Sequence, residues 1–274
     1  MMEFSIEKIE FCRQQIPNPV ALYQIIFFKE SAYIDVDLSS YRIAGNTLLF
    51  LSPYQQIEYK SDQTIVCDVI FFHGDFYCIE YHKKEVACNG LLFNNIYIQP
   101  HVSFEKDLFT ELLNIRQRMF DEMEEQQNRS DSVLKAYLQV ILALASKEKS
   151  NFLLNQKKST KPIPQEGQKF QKLLDEHFLL ERSVKFYADQ CHLSAASFSK
   201  KIKNQLGMPP TYFVVQRILL EAKKLLHLTQ TPIKEISRVL QFEDVHYFSR
   251  FFKKNVGVSP TDYRLKVGIS IVAK

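Results

Sequence analysis

The sequence predicts an α+β protein of two domains. The first is an N-terminal β-barrel or sandwich followed by two helices; the second is all-α and carries two helix-turn-helix units. Three observations predict this. Between Ala21 and Ile98, short runs rich in Ile, Val, Phe and Tyr alternate with turn residues, the pattern of a sandwich or small barrel. The segment Phe198–Thr211, FSKKIKNQLGMPPT, recurs fifty residues later as Phe248–Thr261, FSRFFKKNVGVSPT, and such a repeat means one structural unit used twice. Charge is also unevenly divided: residues 1–160 hold 16 Lys and Arg against 21 Asp and Glu, whereas residues 161–274 hold 19 against 10. An acidic half joined to a basic half suits a sensing or assembly domain attached to a polyanion-binding one.

The 274 residues are enough for two separate cores. Five cysteines, Cys12, Cys67, Cys78, Cys88 and Cys191, are odd in number and form no C-x-x-C pair. That argues against both a disulfide framework and a zinc site. Met1–Glu10 is acidic and amphipathic, unlike a signal peptide, and no apolar run is long enough to span a bilayer. The expected compartment is the reducing cytoplasm, with no membrane partner.

In the N-terminal half, strands are expected at Leu22–Lys29, Ala32–Leu38, Thr47–Leu51, Gln55–Tyr59, Thr64–Phe72 and Phe76–Glu80. They are separated by Gly45-Asn46, Ser52-Pro53, Ser61-Asp62, His73-Gly74-Asp75 and Asn89-Gly90. A small barrel can hold one ligand in its mouth. An enzymatic barrel needs converging ligands or a nucleophile, and neither is legible. His73, His82 and His101 stand alone, and Glu80 shares a strand face with His82 while Glu85 does not. There is no Gly-rich phosphate loop and no G-x-S-x-G elbow. No catalytic residue, metal or cofactor is expected. Phe27, Phe28, Tyr33, Phe50, Phe71, Phe72, Phe76 and Tyr81 either line a pocket or fill the core.

Two helices follow. Phe104–Glu125 places Leu108, Leu112, Ile115 and Met119 on one stripe, and the acidic run Asp121–Glu125 with Asn128–Ser130 ends it. Asp131–Lys147 carries an apolar surface wider than one contact needs, from Val133 and Leu134 to Leu144 and Ala145. It is expected to pack on the barrel and also on a second subunit, making residues 104–150 the dimerisation element of a homodimer; burial within one chain is the alternative. Asn155–Gln168, with two Pro and almost no apolar content, reads as an exposed linker. The expected domains are therefore 1–154 and 169–274, with the linker at 155–168.

In the C-terminal half, Val184–Gln190 is a short helix, Cys191-His192-Leu193 a turn, and Ser194 the N-cap of the next helix. Phe198 and Ile202 face its core, and Ala196, Ser199, Lys200 and Lys203 lie opposite. In the second unit Ile233–Leu240 is a helix, Gln241-Phe242-Glu243 a turn, and Asp244 the N-cap, fifty residues after Ser194. Phe248 and Phe252 face inward; Val245, His246, Ser249 and Arg250 face out, followed by Lys253 and Lys254. A recognition helix puts its first turns in the major groove. There Arg and Lys reach guanine edges, and Ala and Val reach the thymine methyl. Lys203, Lys253 and Lys254 lie further along and are expected on phosphate, adding affinity and salt dependence rather than sequence reading. Between the units, Thr211–Leu228 is a helix roughly 25 Å long. That length would set the two reading helices about one DNA turn apart, roughly 34 Å. Arg217 points away from its apolar stripe, as an ion-pair partner or a phosphate contact.

The segment Gln241–Lys254, QFEDVHYFSRFFKK, followed by Gly257–Arg264, GVSPTDYR, resembles the signature of AraC/XylS-family transcription regulators. The resemblance covers about Phe170–Arg264. It implies seven helices in two helix-turn-helix units joined by a linker helix. It implies base-reading roles for Ala196, Ser199 and Lys200 in the first unit and for Val245, His246, Ser249 and Arg250 in the second. Ser259, Pro260 and Tyr263 become structural. Gln241 stands where the family usually has Gly, Ser237 where it has Ala, and Ile202 where Phe is common; Gln241 is expected to adopt a strained left-handed backbone or an altered turn. The family commonly pairs this domain with an N-terminal cupin-like barrel and dimerisation helices, which is similar to what residues 21–150 read as.

The expected function is sequence-specific regulation of transcription by a protein that binds double-stranded DNA. RNA polymerase and a small-molecule effector in the barrel are further candidate partners. An effector-independent regulator whose barrel only dimerises is the alternative. An enzyme fused to a DNA-binding domain would need clustered His, Cys or carboxylates, and an RNA binder would need exposed stacking aromatics.

Overall fold

The computed structural model describes residues 3–13, 19–37, 39–77, 79, 91–125, 129–159 and 165–269. Cys78, Cys88, Glu80, Tyr81, His82, Glu85, Asn89, Gly90 and Asn128 lie outside the described residues. The chain divides into two compact units, the first mainly residues 1–95 and 99–153, the second mainly 154–265.

The first unit is β-rich. Strands β1 (Phe4–Phe11), β7 (Ile65–Phe72), β2 (Tyr23–Phe28), β5 (Thr47–Leu51) and β8 (His101–Ser103) form one five-stranded sheet in that order. β4 (Ser39–Ile43), β3 (Ala32–Val36) and β6 (Ile57–Tyr59) form a second sheet. All pairings are antiparallel, with β2 set against β5 by Ile25↔Phe50 and against β7 by Ile25↔Ile70. Alternation along the strands divides the core in two. Ile26, Phe28, Leu49 and Leu51 pack with Ile34, Val36 and Tyr59 of the second sheet. Ile25, Phe27, Leu48 and Phe50 pack on the other face against helices α1 (Lys106–Glu124) and α2 (Asp131–Ser159). The central strands β2 and β5 are buried on both faces. That is why they read as continuous apolar runs instead of alternating ones.

Several sequence expectations need correction. Phe76–Glu80 is not a strand in its described part: the amides of Phe76 and Tyr77 both donate to the His73 carbonyl at 3.1 Å, closing a turn. Phe76 still packs, its ring 4.9 Å from that of Phe4. Of the aromatic set, Phe27, Phe28, Phe50, Phe71, Phe72 and Phe76 are buried, but Tyr33 is exposed and lies under Arg42. The expected linker at 155–168 is partly helical, since α2 continues to Ser159 and α3 (Gln165–His177) begins at Gln165. Gln, Lys and Ser are adequate helix formers, so polarity alone did not mark an end. Strands β1, β4 and β8 were not anticipated.

Two buried polar links tie the helices to the sheet. Asp68 on β7, almost fully buried, accepts from Arg116 of α1 at 3.0 Å and pairs with Lys29 at 3.2 Å. Lys149 of α2 is 1% exposed and donates to the carbonyls of Gln99 at 2.6 Å and His101 at 2.7 Å. Burial pulls the Lys149 ammonium down to about 8. Burial, with the nearby Lys149 charge, pulls the His101 imidazole down to about 4. For Lys149 the folded value lies below the ordinary 10.5. Between roughly pH 8 and 10.5 the unfolded chain therefore holds a proton that the folded chain has released, so stability rises with pH across that window. The rise is on the order of 3 kcal/mol, one unit being about 1.4. Urea midpoints at pH 8 and pH 10 are expected to show it, and Lys149→Met is expected to remove it.

Candidate nucleic-acid interface

The second unit is helical, with α3 followed by α4 (Val184–Gln190), α5 (Ala195–Leu206), α6 (Pro210–Leu228), α7 (Ile233–Val239), α8 (Val245–Val256) and α9 (Pro260–Val267). These are the seven helices that the resemblance implies. They form two helix-turn-helix motifs, α4–α5 and α7–α8, joined by α6.

In the first motif Ser183 caps α4 by accepting from the Lys185 amide at 3.2 Å. Fully buried Ala188 lets α5 cross closely. The Phe170 ring meets Tyr187, Phe198 and Phe213 edge-on at 5.4–6.0 Å, the arrangement aromatic quadrupoles favour. Ser194 caps α5, its Oγ accepting from the Ser197 amide at 3.3 Å. In the second motif both Asp244 carboxylate oxygens accept, from the amides of His246 and Tyr247 at 3.0 Å each. Those amide bonds, above all the one from His246, hold the carboxyl below its ordinary value. Phe248 and Phe252 are fully buried, with Phe242 5.2 Å from Phe248 and Tyr263 5.5 Å from Phe252.

Helices α5 and α8 each end on a left-handed glycine, Gly207 at φ +83° and Gly257 at φ +91°. A Cβ at either position would meet nothing within 4 Å. The glycines are therefore required by backbone conformation and not by space. Pro210 and Pro260 then open the next helices, the position where a missing N–H costs nothing.

The turns differ by one residue. In the first, His192 adopts φ +55° and the Leu193 amide donates to the Ala188 carbonyl. In the second, Gln241 adopts φ +56° and the Phe242 amide donates to the Ser237 carbonyl. Glu243 is the extra residue before the cap. The left-handed backbone expected at Gln241 is present. Ser237, also unusual for the family, is buried with its hydroxyl donating to the Lys234 carbonyl at 2.8 Å. Because the left-handed region costs a side-chain-bearing residue about 1–2 kcal/mol, Gln241→Gly is expected to stabilise the second unit. The gain is about 1 kcal/mol at most, since Gly also loosens the unfolded chain. Thermal melts of the variant check this.

On α5, Ala196, Lys200 and Lys203 are exposed and Ser199 half-buried. On α8, His246, Arg250, Lys253 and Lys254 are exposed and Val245 and Ser249 half-buried. Each set lies along its helix away from the buried residues, Phe198 and Ile202 on α5 and Phe248 and Phe252 on α8. Lys200, Lys203, Arg250, Lys253 and Lys254 form no ion pair with a described residue. Ser249 donates its hydroxyl to the Val245 carbonyl at 2.8 Å. Other cations of the unit are engaged. Lys201 pairs with Glu166 at 2.7 Å, and that bond holds the Glu166 carboxyl down to about 2. Arg217 is an ion-pair partner: it bonds Asp175 and Glu221 at 3.1 Å each and lies 3.9 Å over the Phe178 ring.

Three groups beside the two helix-turn-helix motifs were not anticipated from the sequence. Tyr247 projects from the first turn of α8 and is exposed. Lys169 donates to the Gln190 carbonyl at the end of α4, and Arg182 donates to the Leu240 and Gln241 carbonyls at the end of α7. A cation at a helix C-terminus opposes the negative end of the dipole. Only the exposure of Tyr247 had a sequence signal, its place beside His246.

Residues 187–266 match the family model described as a helix-turn-helix domain. The HTH-type transcriptional activator RhaR of Pectobacterium carotovorum is 37% identical over 28% of this chain and 28% of its own length. The arabinose operon regulatory protein of Salmonella typhimurium is 35% identical over 34% of this chain and 31% of its own. RhaS of Shigella dysenteriae, another HTH-type transcriptional activator, aligns over 82% of this chain and 78% of its own at 24% identity. The chain thus spans less than a third of the length of the first relatives it matches. ToxT of Vibrio cholerae, a solved structure, aligns over 97% of this chain and 99% of that one at 15% identity and a TM-score of 0.43. The likeness to these transcription regulators at 35–37% identity thus falls on the helix-turn-helix region.

Proposed function

We propose that the chain is a sequence-specific, DNA-binding activator of transcription that reads two successive major grooves of one duplex. The observation that carries this is the pairing of α5 and α8. Each is N-capped, buried through a Phe-centred face and closed by a left-handed Gly, and each presents an unpaired basic stripe to solvent. Ala196, Ser199 and Lys200 read bases in one groove, and Val245, His246, Ser249 and Arg250 read bases in the next. Lys203, Lys253 and Lys254 meet phosphate. The relatives' names support activation, which makes RNA polymerase a further partner. The chain performs no chemistry in this reading. Among the described residues no helix is long and apolar enough to cross a membrane.

The first unit, residues 1–154 in the domain reading, acts as a cupin-like dimerisation and effector domain, with the second domain at 169–274. Dimerisation is supported by α2, where Val133 and Val140 stay exposed one face-repeat apart and Tyr137 and Leu144 only half-buried. Val140→Glu is expected to convert a dimer to monomer in sedimentation equilibrium without changing circular dichroism. A small-molecule effector must bind two states unequally to regulate anything. The alternative, a barrel that only dimerises, is favoured by the closed packing of Ile26, Phe28, Leu49, Leu51 and Tyr59 between the sheets.

Selection of bound sites from random duplex DNA by the full-length protein tests the main reading. Two boxes about one turn apart, bound with a steep salt dependence, are expected. A folded protein that enriches no motif would refute it.

A further inference from the structure

Arg182 lies in the segment between α3 and α4, one residue before the Ser183 cap that starts the first motif. Its guanidinium reaches out of that motif. One nitrogen donates to the Leu240 carbonyl and, at 3.2 Å, to the Gln241 carbonyl. Its face lies 4.1 Å over the Phe242 ring. These are the carbonyls of the α7 C-cap and of the turn that leads into α8. Phe242 in turn packs on Phe248 at 5.2 Å and Phe251 at 5.3 Å, both on α8. The contact therefore runs from the start of α4, the first helix of the first motif, to the base of α8 without passing through α6. Chemistry explains why the residue is Arg. A planar fork can bridge neighbouring carbonyls and stack on a ring at once, whereas an ammonium is a point donor. The charge also sits at the negative end of α7.

Two further arginines tie α6 to its neighbours. Arg217, near the middle of α6, bonds Asp175 of α3. Arg264 of α9 donates to the Leu226 and Thr231 carbonyls at 3.2 and 2.7 Å, where α6 finishes. With α6 held near its middle and at its C-terminal end, Arg182 adds a third link, one that bypasses α6.

We infer that Arg182 is a positioning residue that holds the two recognition helices at one separation and angle, and so makes the protein selective for the spacing between operator boxes. It touches no base. The inference rests on the two-groove reading above. One added base pair shifts a box by about 3.4 Å and turns it by roughly 35°, so a clamped pair of helices loses contacts in one groove.

The test uses the full chain as wild type, Arg182→Lys and Phe242→Leu. Affinity is measured on selected sites with the box spacing changed by minus one, zero and plus one base pair. In parallel, the distance distribution between spin labels at exposed positions 204 and 255 is measured without DNA. Wild type is expected to prefer one spacing by about tenfold or more, the worth of one base-edge pair, and to give one narrow distance. Both variants are expected to reduce the preference to about threefold or less and to broaden the distance, with single-box affinity retained. An unchanged spacing profile and a narrow distance in the variants would overturn the inference. Equal weakening at every spacing with a lowered melting temperature would overturn it too, leaving Arg182 a stability residue. Should wild type bind no two-box site, the DNA reading fails, and the label distances alone still decide whether Arg182 clamps.

Discussion

Replacing Arg250 by Ala is expected to cost about 1–3 kcal/mol of operator affinity and to relax discrimination at one base pair. Arg250 is exposed on the second turn of α8, away from the buried Phe248 and Phe252, and forms no ion pair with a described carboxylate. An Arg placed so can donate two bonds to guanine O6 and N7, a geometry no other base presents. Lys253, one turn further, is the internal control. Lys253→Ala is expected to weaken all sequences alike and to reduce the salt slope by about one. Affinities of both variants on a panel of single-base operator variants separate the roles. Uniform weakening by Arg250→Ala on every sequence would show that Arg250 meets phosphate instead.

The largest stability effect is expected at Phe248. The ring is fully buried and touches Phe242 and Phe252, at centroid distances of 5.2 and 6.0 Å. Phe248→Ala removes that contact set and leaves a cavity, a loss of about 3–5 kcal/mol. Against the 5–15 kcal/mol typical of a domain, this removes a large share of the second unit's stability. Urea unfolding followed by helical circular dichroism is expected to show an early transition for the second unit, with the β-rich first unit unfolding as before. An unshifted transition would mean that α8 packs without its Phe anchor.

The second unit was legible because its signals are local. Asp244, Phe248 and Gly257 each act within a few residues of themselves, through a cap, a helical face and a backbone angle. The same signals repeat at Ser194, Phe198 and Gly207. Even the departure at Gln241 was readable, because a turn that usually takes Gly constrains φ directly. The first unit was only partly legible. β1 was read as an acidic amphipathic terminus, since Glu7, Lys8 and Glu10 dominate its composition, although Phe4, Ile6 and Phe11 are the buried residues that pair it with β7. β8 is three residues long and takes its identity from Thr47–Leu49 across the ladder. Phe76 has a strand-like neighbourhood but sits in a turn closed by the His73 carbonyl. Arg182 and Lys169 were not readable at all. Their partners are backbone carbonyls 58 and 21 residues away, and a carbonyl has no side-chain letter. Polarity misled at 155–159 for a related reason: α2 outlasts its apolar face.

The central claim is that one chain reads two successive major grooves. Methylation interference at guanine N7 on a selected site tests it most directly, because N7 lies in the major groove and each modified base reports one contact. The account predicts two clusters of interference about ten base pairs apart on one face of the duplex, with the cluster assigned to α8 lost in Arg250→Ala and the other retained. A single cluster, unaltered by Arg250→Ala, would contradict it.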